Sequence, residues 1–108
     1  MAKTEALFRA ISDPTRQKIL LLLEEKERCV GELVSEFSLS QPTVSRHLNV
    51  LKQAGLVTDR REGQQVYYSL DCCNIRRCCT DYFSKFSCCS DIFPNPDKTG
   101  RQCEGGER

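Results

Sequence analysis

A mainly α-helical fold with one small β-hairpin is what three features of this 108-residue chain predict. Apolar residues recur at helical spacing through the first half. The period then switches to two on either side of a Glu-Gly turn, which reads as two short strands. Helical spacing returns at Asp71 and lasts until Pro94 and Pro96 stop it. The order is four helices, a hairpin and a fifth helix. A short helix, a tight turn and a second helix, followed by a hairpin, is a winged helix-turn-helix layout.

The elements follow in order. The first helix covers "TEALFRAI", residues 4–11. The second follows Ser12 or Asp13 as N-cap, with Pro14 in its first turn. Its stripe of Ile19, Leu20, Leu22 and Leu23 faces the core. A shorter helix, residues 29–38, turns Leu33, Val34 and Phe37 inward. The fourth is capped by Ser40 and carries Pro42 in its first turn. Val44, Leu48 and Leu51 line its inner face, and Gly55 suits its C-terminal cap. The strands are expected at residues 56–61 and 65–70, with Glu62-Gly63 as the turn. The last helix is expected to run from Asp71 to about Asp91. Residues 1–93 then form one domain, and the polar, Gly-rich residues 94–108 a flexible tail.

Composition narrows the function classes. Hydrophobic residues make up 39% and charged residues 29%, the mix of a soluble globular domain. No apolar run reaches the roughly 18 residues of a spanning helix, so no membrane partner is expected. The N-terminus shows no signal core, and a cytoplasmic protein is expected. Eight cysteines in such a chain would read as a disulfide framework if it were secreted. In a reducing compartment they point instead to metal binding or redox sensing. The net charge of +1 carries no argument for nucleic acid, which must come from local placement.

That placement lies in the fourth helix and the hairpin. Ser40 caps the helix, and Gln41, Thr43, Ser45, Arg46 and His47 occupy its first turns. Arg can grip guanine, Gln can pair with adenine, and Ser and Thr can bond bases or phosphates. Arg60, Arg61 and Gln64 sit near the hairpin tip, suited to the phosphate backbone or minor groove. An ordinary polar surface is the competing reading of the same residues. The stretch "SQPTVSRHLNVLKQAGLVTDRREGQQVYYSL" resembles the recognition helix and wing of the ArsR/SmtB family of metal-responsive repressors. "RAISDPTRQKILLLL" resembles that family's second helix, and the likeness covers residues 5 to 71. It implies a homodimeric winged-helix repressor that binds an imperfect palindrome of operator DNA and leaves it when a ligand binds. It also implies that Gln41, Thr43, Ser45, Arg46 and His47 face DNA, with Arg60, Arg61 and Gln64 in the wing.

The ligand question turns on the cysteines. One arsenite site of the family opens the third helix with Cys-Val-Cys. Cys29 matches its first cysteine, but Gly31 stands at the second, so that site is incomplete. A second family site lies on the last helix and is shared between subunits. By that resemblance Cys72 and Cys88 replace two carboxylates, and Asn74 and Lys85 stand where histidines would be. Thiols in place of carboxylates favour soft ions. The candidate ligands are Cys72, Cys73, Cys78, Cys79, Cys88 and Cys89. A straight helix separates Cys72 from Cys88 by about 24 Å, so one subunit cannot join them. Antiparallel pairing of two such helices would bring Cys72 or Cys73 to Cys88 and Cys89 of the partner subunit, with Cys78 and Cys79 near the axis. The resemblance and the all-thiol supply favour As(III) as inducer, with Sb(III) and methylarsenite beside it, and no required cofactor.

Three alternatives stand beside this. Cys72, Ile75, Cys79, Tyr82, Phe83 and Phe86 share a helix face that can simply be the dimer interface, with cysteine as a small hydrophobe. Thiol oxidation can be the signal, with Arg76 and Arg77 lowering thiol pKa values, and Cd, Pb or Zn can replace arsenic. An enzyme is not expected, because no phosphate-binding glycine loop is present and the lone histidine lies in the reading helix.

Overall fold

The structure, a computed structural model, describes residues 2–93. The proposed tail and Cys103 lie outside the described residues. The elements are α1 (Ala2–Ile11), α2 (Pro14–Glu25), β1 (Arg28–Cys29), α3 (Val30–Glu36), α4 (Gln41–Gln53), β2 (Val57–Glu62), β3 (Gln65–Leu70) and α5 (Cys72–Phe83). A 3₁₀ turn, Ser87–Cys89, follows. No described helix is long and apolar enough to cross a membrane.

Local chemistry marks the helix ends. Asp13 caps α2, its carboxylate accepting from the Arg16 N–H at 3.1 Å, with Pro14 in the first turn. Ser40 caps α4 through the Thr43 N–H at 3.4 Å. Asp71 caps α5 through the Asn74 N–H at 3.2 Å. After α4 the chain turns at Gly55, whose φ of +82° suits glycine.

Apolar side chains from every layer meet in one core. Ile19 and Leu23 of α2, Leu33 of α3 and Val44, Leu48 and Leu51 of α4 are buried against Leu7, Ala10, Leu56 and Val57. Cys78 is the one α5 residue in the fully buried set. Cys72 is exposed, Cys79 is half-buried, and Cys78 points to the protomer's own core.

The sheet has three antiparallel strands in the order β1-β3-β2. β1 corrects the expectation that a helix begins at Cys29. Arg28 and Cys29 pair with Tyr68 and Tyr67, and Cys29 becomes the N-cap of α3. Arg28 is buried; its Nε donates to the Leu22 carbonyl at 2.9 Å and its guanidinium to Glu25 at 2.7 Å. The hairpin loop is Gly63-Gln64, one residue later than expected, because Glu62 pairs with Gln65. Gly63 has φ +65°, and no described non-glycine residue has positive φ, the pattern of a II′ loop.

The last helix is shorter than the expected run to Asp91. It ends at Phe83, and Phe86 is extended at φ −98°, ψ 128°. Aromatic packing accounts for the break. Phe93 folds back to stack on Phe83 at 5.4 Å between ring centroids, and Phe86 and Tyr82 meet edge-on at 5.2 Å. Ser84, Ser87 and Ser90 follow the break; serine favours such caps and turns over helix interiors.

Candidate nucleic-acid interface and thiol cluster

The outer face of α4 carries Gln41, Ser45, Arg46 and Asn49, all exposed. Val44, Leu48 and Leu51 bury the opposite face. Ser40 and Thr43 bond each other at 3.0 Å while Ser40 caps the helix. Asn49 was not among the expected contacts, although its i+4 spacing from Ser45 places it on the same face.

His47 is half-buried and braced. Its Nδ1 lies 3.2 Å from a guanidinium nitrogen of Arg16. Arginine has only donors, so Nδ1 is the acceptor in this contact. Arg16 also donates to the Ala10 carbonyl at 2.6 Å, tying the end of α1 to α4. The Arg16 N–H, accepted by Asp13, holds the Asp13 carboxyl below its ordinary range.

The wing residues fall on two faces. Arg60 donates to Glu27 at 3.2 and 2.7 Å and to Glu62 at 2.7 Å, and lies 5.2 Å over the Tyr67 ring. Hydrogen bonding to Arg60 lowers the Glu27 pKa, and the two carboxylates raise that of Arg60. Arg61 and Gln64 are exposed, and Arg61 has no ion pair among the described residues. Lys52 of α4 bonds Asp59 of β2 at 2.9 Å, which raises the Lys52 pKa.

Six cysteines lie on α5 and the turn after it. Cys72 and Cys88 are exposed, and Cys73, Cys79 and Cys89 half-buried. The Cys88 and Cys89 sulfurs are 3.8 Å apart. Partial burial and the hydrogen bond to Cys88 push the Cys89 thiol above its ordinary 9.0, and burial beside Cys78 does the same to Cys79. The lowering expected from Arg76 and Arg77 is not what these two thiols experience. Among the described residues of one protomer, no three Cys, His, Asp or Glu side chains stand together as a metal site.

Two hydrogen bonds tie the start of the thiol-bearing helix to the loop between α4 and β2. The Asn74 side-chain amide donates to the Gly55 carbonyl at 2.8 Å. The Asp71 N–H donates to the Leu56 carbonyl at 2.9 Å. In the sequence Asn74 stands only where a family histidine would be; its bond to the loop after α4 depends on the fold.

Residues 13–59 match the family model described as "Bacterial regulatory protein, arsR family". The transcriptional repressor SdpR of Bacillus subtilis is 51% identical over 65 residues, which are 60% of this chain and 72% of that protein. The chain belongs to the ArsR family. Members of this family are DNA-binding transcriptional regulators, not enzymes. The arsenical resistance operon repressor of Escherichia coli is 46% identical over 59% of this chain and 56% of its own length. A Streptomyces lividans relative named "Probable mercury resistance operon repressor" is 38% identical over 82% of this chain and 77% of its own. A homodimeric winged helix-turn-helix DNA-binding domain of Mycobacterium bovis, solved by NMR, superposes with TM-score 0.62. It is 33% identical and covers 64% of each chain. The winged helix-turn-helix class expected from the sequence is thereby established.

The ArsR-family match ends at residue 59, before the wing closes and before the six clustered cysteines begin. Helix α4 thus lies inside the matched region and the cysteine-rich segment outside it, although the alignment with the Streptomyces lividans repressor, over 82% of this chain, reaches into that segment.

Proposed function

We propose that this chain is a homodimeric repressor that leaves its operator when a thiophilic ion is bound by cysteines of α5 and the turn after it. Trivalent arsenic is the favoured ion, with antimonite and methylarsenite as close alternatives. One observation carries the reading: α5, which bears Cys72, Cys73, Cys78 and Cys79, is strapped to the loop between α4 and β2 through Asn74–Gly55 and Asp71–Leu56. A ligand that displaces α5 therefore pulls on the loop that follows the reading helix. The relatives named for arsenical and mercury resistance support a soft-ion inducer.

The break after Phe83 alters how the thiols can meet. α5 has 12 residues, about 18 Å of helix, so its N-terminal cysteines remain far along the axis from the turn at Cys88 and Cys89. A three-thiolate site then draws on a second protomer, with Cys88 and Cys89 as a neighbouring pair and a third thiol from Cys72 or Cys73 of the partner subunit. Cys78 serves the core. The DNA set is Gln41, Ser45, Arg46 and Asn49 on α4, with Arg61 and Gln64 on the wing; Ser40, Thr43 and His47 shape the helix start. The coupling needed to switch such a repressor is typically about 1–3 kcal/mol.

The test is a fluorescence-anisotropy titration of the reduced protein on DNA from upstream of its own coding sequence. As(III) is expected to release the DNA, and Cys88→Ser with Cys89→Ser to abolish release while leaving DNA binding intact. Release by peroxide but not by As(III) would establish the second reading, thiol oxidation. The supply of six thiols permits that reading, and the raised Cys89 pKa opposes it.

A further inference from the structure

β2 carries two adjacent arginines, and the sheet gives them different surroundings. Side chains alternate along a strand, so Val57, Asp59 and Arg61 share one face and Thr58, Arg60 and Glu62 the other. Val57 is buried in the core and Asp59 is bonded to Lys52, so the first face is the one α4 packs against.

On the other face a row crosses the sheet. Tyr67 of β3 pairs with Cys29 of β1 on one side and with Arg60 of β2 on the other. Glu27, two residues before Cys29, shares that face. Arg60 reaches over the Tyr67 ring and grips Glu27 with two hydrogen bonds. The clasp joins the chain entering one edge strand to the other edge strand, and so ties the hairpin to the body of the domain. Exposed ion pairs are individually weak, but a guanidinium fork on a carboxylate, stacked on a ring, is the geometry that matters most.

The charges complete the argument. Glu27 and Glu62 surround one guanidinium, which leaves the cluster net negative. A phosphate brought to Arg60 meets two carboxylates. A phosphate brought to Arg61 meets a cation with no ion pair among the described residues.

We infer that Arg60 is a positioning residue, holding the wing at its angle through Glu27, and that Arg61 is the wing's phosphate-binding residue. This rests on the DNA-binding reading above. Each phosphate contact contributes about 0.9 to the slope of log affinity against log salt, so two wings contribute about 1.8 per dimer.

The experiment measures binding of the full-length, reduced protein to the same upstream duplex across a series of KCl concentrations. Arg61→Gln is expected to flatten the slope by about 1.8. Arg60→Gln and Glu27→Gln are expected to weaken binding several-fold at unchanged slope. Arg60→Lys should behave like Arg60→Gln, because an ammonium cannot span both carboxylates. A flattened slope in Arg60→Gln, or wild-type affinity in Arg60→Lys, would overturn the inference. So would tighter binding by Glu27→Gln. Failure of the wild type to bind any duplex would overturn the DNA reading itself, and this inference with it.

Discussion

Gly55 meets two demands at one position. Its φ of +82° is open to glycine at no steric cost, and a Cβ there would collide with the Asn74 amide that bonds its carbonyl. Gly55→Ala is expected to destabilise the domain by about 1–3 kcal/mol, read as a lowered urea midpoint. Asn74→Ala should cost less, about 1 kcal/mol, for one lost hydrogen bond. Asp13 gives a pH signature. Its carboxyl pKa is lowered by the Arg16 N–H, so its contribution is present above the ordinary 3.8 and lost as pH falls through the lowered value. Asp13→Ala should cost about 1 kcal/mol near neutrality. Urea melts at acid pH should show the difference from wild type shrinking.

Among the elements, α2 and α4 were legible because each announces itself chemically, with an Asp or Ser cap, a proline in the first turn and a clean apolar stripe. β1 was not legible, since two residues cannot show a period and only pairing with Tyr68 and Tyr67 makes them a strand. The end of α5 was hidden for a different reason. Apolar spacing continues through Phe86, while the break depends on Phe93 returning to Phe83. Phe83 also meets Phe8 of α1 edge-on at 6.0 Å. Phe83→Ala is therefore expected to cost about 2 kcal/mol and to speed alkylation of Cys88 and Cys89 by releasing the segment that carries them. Mass-spectrometric alkylation kinetics check this; unchanged rates would mean the aromatic cluster does not hold the turn. The exposed side of α4 was readable from its 3.6-residue period. The division between Arg60 and Arg61 was not, because Glu27 is 33 residues distant in sequence from Arg60.

For the whole molecule, the identity of the ion has a proton signature. Arsenous acid and three thiols condense to three As–S bonds and three waters, with no net proton released. A divalent cation that takes three thiolates must expel three protons, and Cys89 holds its own more tightly than an ordinary thiol. Between about pH 7 and 8 the concentration of Cd(II) or Zn(II) that releases DNA should fall steeply as pH rises, while that of As(III) stays nearly constant. A steep dependence for As(III) would count against simple condensation with thiols.

The strand order leaves the outer edge of β2 unpaired, and an open edge is a template for another copy of the same chain. This edge reads Asp59-Arg60-Arg61-Glu62. Two copies aligned antiparallel about its centre would set Asp59 opposite Glu62 and Arg60 opposite Arg61. A parallel, in-register pair would set each residue opposite itself. Both arrangements place like charges face to face, which destabilises a cross-strand pair. The four charged residues of this edge therefore keep wings from polymerising edge to edge when many copies crowd together.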